Sequence, residues 1–305
     1  MTGPLPAGDR ARHDATRHRP RLLGLAYRML GNLDDAEDVV QEAYLRWSRE
    51  PRDDVRSAEA WLVTVVSRLG VDRLRRAATE RSVYTGPWLP EPIATEEAPS
   101  AEPPPDRAVE VASDLSIALL VLLERLAPEE RAAFLLREVF GTEYVEIARI
   151  LERKPDAVRQ MVHRARRRVH DGRPRVVPPP DVHQQLLERF VAALAADDAE
   201  AVLALLSPDV TLVTDGGGRV LAARNRLAGP DRVARFLLGV QRKFGRERTT
   251  RFGRLNGLPA LLVFERGRLR EAMTIEAEGE RIRAFYSVLN PDKLRRAGGG
   301  GIAIT

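Results

Sequence analysis

The residues best suited to chemistry form one stripe. In residues 142–169, TEYVEIARILERKPDAVRQMVHRARRRV, the side chains of Asp156, Arg159, Gln160, His163, Arg164, Arg167 and Arg168 recur on one side of a helical repeat. Arg and Gln can pair with base edges in a major groove, and further Arg side chains can hold phosphates. Two other charged sets stand out: Asp34, Asp35, Glu37 and Asp38, and, further along, Arg68, Asp72, Arg75 and Arg76. The histidines His13, His18, His163, His170 and His183 pair with no carboxylates at metal-ligand spacing, so neither a metal site nor a cofactor is expected.

The stripe needs a scaffold. Ile147, Ala148 and Leu151 give a first short helix its buried side, with Thr142 expected to cap it. Glu152, Arg153 and Lys154 make a turn. Pro155 suits the first position of a second helix, where no amide hydrogen is needed. Val158, Met161, Val162, Ala165 and Val169 then face inward. This is the pattern of a helix-turn-helix whose second helix enters a major groove. An ordinary helical hairpin with a solvated basic face is the plainer alternative. The turn, the inward spacing and the one-sided arginines together favour DNA binding.

With 305 residues and 44% hydrophobic content, the chain has room for two or three domains with real cores. Its net charge of +5 is too small to imply nucleic acid, so the distribution of charge carries the argument. Acids gather in residues 34–42 and 91–106, bases in 68–81 and 159–175. There is no cysteine, which excludes disulfides and thiolate metal sites and suits a reducing cytoplasm. No signal-peptide core and no membrane-spanning apolar run is present, so a cytoplasmic protein without membrane association is expected.

Residues 1–20 read as disordered. A first amphipathic helix covers 22–30. Asn32 is placed to cap a second helix, LDDAEDVVQEAYLRWSRE, buried through Leu33, Ala36, Val39, Val40, Ala43, Tyr44 and Trp47. Its early acids either complement the helix dipole or present a surface to a basic partner. Ser57 can cap a third helix with Trp61, Leu62, Val65, Leu69 and Leu74 on one side and the basic set on another. Residues 79–107 then read as a Pro-rich linker, unusual in carrying Tyr84, Trp88 and Leu89. Such a stiffened apolar segment suits docking into a groove, the alternative being a spacer. Helices at 115–126 and 128–140 form the platform of the helix-turn-helix. After a second Pro-rich linker, residues 181–305 read as two helices, a strand at 210–214, a turn at Asp215-Gly216-Gly217-Gly218, a returning strand at 220–223, a helix from Pro230, and four strands between 249 and 289. That order describes an α+β domain with a curved sheet around a pocket, ending in a glycine-rich, mobile tail.

DDAEDVVQEAYLRW with AWLVTVVSRLGVDRLRR resembles the first conserved domain of bacterial RNA polymerase sigma factors, and residues 126–169 resemble their fourth-region domain. The central region is absent, as in the extracytoplasmic-function group. YTGPWLPEP, DGGGR and NPDKL further resemble the subgroup with a SnoaL-like C-terminal extension. The resemblance implies a multidomain fold: two all-α sigma domains, the second with the helix-turn-helix, followed by an α+β SnoaL/NTF2-like cone-shaped barrel. The division expected is 21–79 for region 2, 80–107 for the linker, 108–173 for region 4, 174–180 for a second linker and 181–305 for the SnoaL-like domain.

It also implies roles. Asp35, Asp38, Gln41 and Glu42 would bind the clamp helices of the largest subunit of core RNA polymerase, whose flap region is a second expected contact. Trp61, Arg68, Asp72, Arg75 and Arg76 would recognise and help open the −10 promoter element. Lys154, Arg159, Gln160, His163, Arg164 and Arg167 would read the −35 element. The linker would occupy the polymerase channel near the RNA exit path.

Two readings compete for the C-terminal domain. SnoaL-like pockets host isomerases, and His183, Asp209, Asp215 and Tyr286 are the candidates for such chemistry, but no acid–base pair is specified by spacing and no catalytic residue is assigned. The favoured reading is a regulator held in cis, whose tether keeps its local concentration at roughly millimolar. In it, Trp88, Leu89 and Pro90 dock near Asp215, Gly216 and Arg219 and near Asn290, Pro291 and Asp292. An unidentified small ligand of this domain is a possible partner. For the whole chain, the alternative to a sigma factor is a ligand-responsive helix-turn-helix regulator independent of core polymerase.

Overall fold

The computed structural model describes residues 7–49, 57–95, 116–172, 174, 178–295 and 297. The acidic part of the first linker beyond residue 95, residues 175–177 of the second linker and most of the glycine-rich tail lie outside the described residues. The chain divides into two compact units, Met1–Ser82 with Leu120–Gly172, and Val83–Leu119 with Arg173–Thr305.

The first unit is helical. It contains α1 (Ala7–Leu30), α2 (Leu33–Arg49), α3 (Ala58–Ser82), the larger part of α4 (Ile117–Leu123), α5 (Pro128–Glu138), α6 (Tyr144–Leu151) and α7 (Pro155–Gly172). α1 starts ahead of Arg21, where the apolar pattern begins, and continues through Pro20. Asn32 does cap α2: its Oδ1 accepts from the Asp35 amide at 2.8 Å. Ser57 does the same for α3, accepting from Ala60 at 3.3 Å. The buried side of α3 is Leu62, Val63, Val66, Ser67, Gly70, Val71, Leu74 and Ala77, whereas Trp61, Val65 and Leu69 are only half-buried. Gly70 explains the rotation. A Cβ there would stand 2.7 Å from Met29 Cε, so α1 approaches α3 along a face that lacks a side chain.

The helix-turn-helix departs from expectation at its first cap. The helix begins at Tyr144 with Glu143 as N-cap and no side-chain bond, so Thr142 is not the cap. Gly141 turns the chain so tightly that the Thr142 amide and carbonyl serve the preceding helix, bonding Leu136 O at 3.0 Å and Arg137 Nη1 at 3.0 Å. Glu152 ends α6 in the left-handed conformation, and Pro155 opens α7. Val158, Val162, Ala165 and Val169 are buried; Met161 is half-buried, as Tyr44 is on α2.

The second unit is α+β. Helices α8 (Pro180–Ala195), α9 (Ala199–Ala204) and α10 (Pro230–Phe244) pack on a six-stranded sheet. Its strands are β1 (Leu206–Asp215), β2 (Leu227–Ala228), β3 (Arg248–Leu255), β4 (Leu258–Glu265), β5 (Arg268–Glu278) and β6 (Arg281–Val288), ordered β2-β1-β6-β5-β4-β3. Only the β1–β6 pair is parallel. Pro180, expected as the last residue of the second linker, is the first residue of α8, and the return after the Asp215 turn is the short β2 rather than residues 220–223. Leu212, Leu261, Met273, Ile275 and Phe285 line the helix-facing side of the sheet, with Phe285 against Phe190 at 4.8 Å between ring centroids.

One buried acid sits in this apolar face. Glu271 accepts from Ser287 Oγ at 2.6 Å, and burial pushes its carboxyl above the usual range against the opposing pull of Ser287 and Arg248. The folded state therefore holds the Glu271 proton more tightly than the unfolded chain does. Its contribution to stability is complete below the ordinary Glu value of about 4.3 and is lost as the pH rises through the folded-state value. Glu271→Gln keeps an acceptor for Ser287 and removes the titration. Its thermal midpoint is expected to exceed that of the parent chain at pH 8, and the gap to close as the pH is lowered towards 4. Equal midpoints at both pH values in a thermal-shift series would contradict this.

Candidate nucleic-acid interface and linker-binding site

The exposed side of α7 carries Arg159, Gln160, His163, Arg164, Arg167 and Arg168, with Lys154 exposed in the turn before it. Arg159, Gln160, His163 and Arg164 line a shallow, open depression. The arginines are held by carboxylates of the same unit. Arg164 Nε and Arg168 Nη1 bond the two oxygens of Glu130, at 3.2 and 2.7 Å. Arg166 bonds Glu138, and Arg159 bonds Asp156 at 2.6 Å. Glu130 is 8% exposed and follows Pro128 in the first turn of α5, so its position is set by a helix terminus.

The α3 set is placed differently. Trp61 packs against Trp47 of α2 with centroids 5.2 Å apart. Arg68 donates to the carbonyls of Ile150 at 2.9 Å and Arg149 at 3.0 Å, groups left without intrahelical partners at the end of α6. Arg75 bonds Asp72 at 3.1 Å and Glu129 at 2.6 Å. Arg76 is exposed. On α2, Asp38 and Gln41 are exposed and Glu42 pairs with Arg46 at 2.8 Å. Asp35 is tied to Arg73 of α3 at 2.9 Å.

In the second unit, the first linker lies on the α+β domain around Asp215, which is fully buried. Asp215 Oδ1 accepts from the Tyr84 hydroxyl at 2.6 Å and from the Gly217 amide at 3.0 Å. Its Oδ2 accepts from the Leu89 amide at 2.8 Å and from Lys293 Nζ at 2.6 Å. Lys293 also donates to the Leu89 carbonyl at 2.5 Å and lies 4.0 Å from the centroid of the Trp88 ring, which covers it. Asn290 Nδ2 donates to the Tyr84 hydroxyl at 3.0 Å, while Asn290 Oδ1 accepts from the Asp292 amide at 3.1 Å in the turn that presents Lys293. Arg219 pairs with Asp292 at 2.8 Å, and Pro291 is exposed between them. Burial, followed by the Asp215 hydrogen bond, raises the Tyr84 hydroxyl well above the usual range and keeps it a donor.

The glycines fit this geometry. Gly217 has φ 61° and any side chain on it would collide with Asn290; a Cβ on Gly216 would stand 2.6 Å from the Val220 carbonyl. Leu89 and Pro90 are buried, and Pro90 brings no amide hydrogen to satisfy. Further along, Asn256 anchors the segment through Ile93, its Oδ1 accepting from the Ile93 amide at 3.0 Å and its amide donating to the Ile93 carbonyl at 2.9 Å. Sequence reasoning assigned no role to Lys293 or Asn256. The signals available were a lysine inside a turn motif and an Asn-Gly pair. The candidates for acid–base chemistry have other partners. Asp209 bonds Ser207, Tyr286 bonds Glu276 at 3.5 Å, and burial lowers the affinity of His183 for a proton. Among the described residues, no group of three or more His, Asp or Glu side chains is placed to hold a metal ion, and no helix is long and apolar enough to cross a membrane.

The helical unit carries a helix-turn-helix whose second helix presents an exposed basic side, a pattern found in proteins that bind DNA. Residues 15–80 match the model of Sigma-70 region 2, and residues 116–169 that of Sigma-70 region 4. The chain is 38% identical over 287 residues to the ECF RNA polymerase sigma factor SigJ of Mycobacterium tuberculosis, covering 90% of each. It is 33% identical over 292 residues to the probable ECF RNA polymerase sigma factor SigI of the same organism, covering 93% of this chain and 96% of that one. The crystal structure of Mycobacterium tuberculosis SigJ aligns with a TM-score of 0.74 and 32% identity over 95% of this chain and 98% of that one. The chain belongs to the extracytoplasmic-function (ECF) RNA polymerase sigma factors. It is a transcription initiation factor and not an enzyme, and its partners as a sigma factor are core RNA polymerase and promoter DNA.

Asp215→Asn would leave the linker site without the charge that Lys293 faces. Removing one member of a buried pair costs about 3–5 kcal/mol. The denaturant midpoint of the full chain is expected to fall, and proteolysis within residues 84–95 to accelerate. Unchanged cleavage of that segment would argue against Asp215 as its anchor.

Proposed function

We propose that this sigma factor places α7 on the −35 element and α3 on the −10 element, docks through α2 on the polymerase clamp helices, and is regulated in cis by its α+β unit. The observation that carries the regulatory part is the buried Asp215–Lys293 pair, both members of which bond the linker, Asp215 through Tyr84 and the Leu89 amide and Lys293 through the Leu89 carbonyl. In the family this linker joins the two promoter-reading domains and threads the polymerase channel. Bound at Asp215, residues 84–95 are not free to enter that channel, so release of the linker becomes the regulated step. Trp88, Leu89, Pro90, Gly216, Arg219, Asn290, Pro291 and Asp292 are assigned to this switch.

On the DNA side, Arg159, Gln160, His163 and Arg164 are assigned to the −35 bases, since they share one open depression, and exposed Lys154 and Arg167 are assigned to the same element. Trp61, Arg68, Asp72, Arg75 and Arg76 are assigned to the −10 element. Exposed Asp38 and Gln41, with Asp35 and Glu42, present the acidic edge of α2 to the clamp helices, and the flap region is assigned to region 4.

Two experiments test the assignments. Arg164→Ala should cost about 1–3 kcal/mol at one −35 position if it reads a base, or weaken all promoters alike if it holds a phosphate. Footprints of the holoenzyme on promoter variants distinguish these, and no effect on any promoter would remove Arg164 from the interface. For regulation, in-vitro transcription with core polymerase compares the full chain with Lys293→Met. The variant is expected to change transcript yield while keeping promoter choice. An unchanged yield, with the linker freed in a proteolysis assay, would end the regulatory reading.

A further inference from the structure

We infer that the α+β unit carries a further DNA contact, an arginine stripe on α10 that holds the phosphates of duplex DNA beside the −35 element. The inference rests on the placement of α7 at that element and not on regulation through the linker. Arg232, Arg235, Arg242 and Lys243 recur at helical spacing along α10, and all four are exposed. Together with Gly239 they share an arc of about 100° around the helix. Arg246 follows in the turn beyond Phe244 and is also exposed. The opposite side of the helix, Val233, Ala234, Leu237 and Leu238, is buried in the core. The fold holds α10 by that side and leaves the stripe facing solvent.

Three features set the stripe apart from an ordinary solvated face. The first is its uncompensated charge. On α7, Arg159, Arg164, Arg166 and Arg168 each have a carboxylate partner. On α10, Arg242 pairs with Asp197 at 2.8 Å, but among the described residues no carboxylate lies within ion-pair distance of Arg232, Arg235 or Arg246. Asp231 and Glu247, the acids adjacent in sequence, lie at the two ends of the stripe. Like charges three positions apart destabilise a helix, so Arg232 and Arg235 work against the fold. The second feature is Gly239, which sits in mid-helix, where glycine is less stable than alanine. A Cβ there would meet nothing within 4 Å, so no packing inside the chain requires the glycine. Its bare surface lets a sugar–phosphate backbone approach between Arg235 and Arg242. The third is the charge of the whole domain. The chain's net charge of +5 arises after residue 172, since residues 1–172 hold more acids than bases.

Chain length selects duplex DNA as the partner. Seven residues separate the end of α7 at Gly172 from the start of α8 at Pro180. Fully extended, that connection reaches about 25–30 Å. A domain of this size has a radius of gyration of about 13 Å. With α7 in the major groove, the α+β unit is held beside the same duplex, and phosphate is the anion within its reach. Guanidinium groups bond phosphate oxygens in a bidentate fork. Phosphate contacts carry no sequence information, so the stripe adds affinity and salt dependence and leaves promoter choice to α7 and α3.

The test measures equilibrium binding of the holoenzyme, formed with the full chain, to two promoter duplexes. One ends at the −35 element and the other continues about 20 base pairs beyond it, roughly 70 Å. The parent chain is expected to bind the longer duplex more tightly and to lose affinity more steeply with salt. Arg232→Gln, Arg235→Gln and Arg246→Gln together should lower the slope of log K against log salt on the long duplex by about two to three, near 0.9 for each phosphate lost. Binding to the short duplex should not change. Gly239→Gln removes no charge and should weaken the long duplex alone. If the triple variant misfolds, Arg232→Gln with Arg235→Gln takes its place, with a slope change of about two. An unchanged slope on the long duplex would overturn the inference. So would an equal loss on both duplexes, which would assign the stripe to a protein surface of the polymerase. Arg164→Ala separates this inference from the reading on which it rests. If Arg164→Ala weakens both duplexes while the stripe variants match the parent, the −35 reading stands and the stripe is wrong. If Arg164→Ala changes neither duplex, the −35 reading itself has failed.

Discussion

A carboxylate taken out of water is expensive unless donors surround it. Asp215 is fully buried and accepts from a tyrosine hydroxyl, two backbone amides and a lysine ammonium. Two of those four donors, Tyr84 and the Leu89 amide, come from the linker. The site is therefore complete only with the linker in place. Lys293 has the same dependence, since the Leu89 carbonyl and the Trp88 ring supply part of its surroundings. A proline-rich segment suits such a site: it has few amide hydrogens to satisfy and little conformational freedom to lose. The glycines of the Asp215 turn are needed for a related reason, because they let Asn290 and the linker approach the backbone closely.

The helical unit follows a different economy, in which charges stay near the surface and are shared. Glu129, Glu130 and Glu138 of α5 hold Arg75, Arg153, Arg164, Arg166 and Arg168. The arginine side chains of these pairs are about half-exposed, so they can exchange carboxylates for phosphates at modest cost. The apolar faces beneath carry most of the stability: Leu62, Val66 and Leu74 of α3, and Val158, Val162 and Val169 of α7. Separating what holds the fold from what meets DNA allows one helix to be firmly packed and still present movable side chains.

Where the sequence misled, the cause was a neighbour. Thr142 looks like a cap until the turn at Gly141 is seen to bind its backbone to the preceding helix. The inward face of α3 was drawn through Trp61, Val65 and Leu69 because they are large and apolar. Gly70 instead allows α1 to pack closely, and the buried face turns towards Val63, Val66 and Val71. The sequence reading starts the first helix at Leu22 and takes residues 1–20 as disordered, whereas α1 begins at Ala7. Polar composition does not forbid a helix; it only removes the apolar periodicity by which one is recognised.

Local pattern alone determined the caps at Asn32 and Ser57, the proline that opens α7, the basic stripe from Arg159 to Arg168, and the α+β character of residues 181–305, because each depends on residues within a few positions of one another. The motifs around Trp88, Asp215 and Asn290 could also be singled out from sequence, the first because large apolar side chains are unusual in a Pro-rich linker and all three because they carry the resemblance to the subgroup. Only the tertiary structure decided that Lys293 and Tyr84 complete the Asp215 site, that Asn256 anchors Ile93, and that Glu129 joins Arg75 to Arg153. Those pairings span tens to hundreds of positions, and a charge or an amide carries no mark of its distant partner until the core has brought the two together.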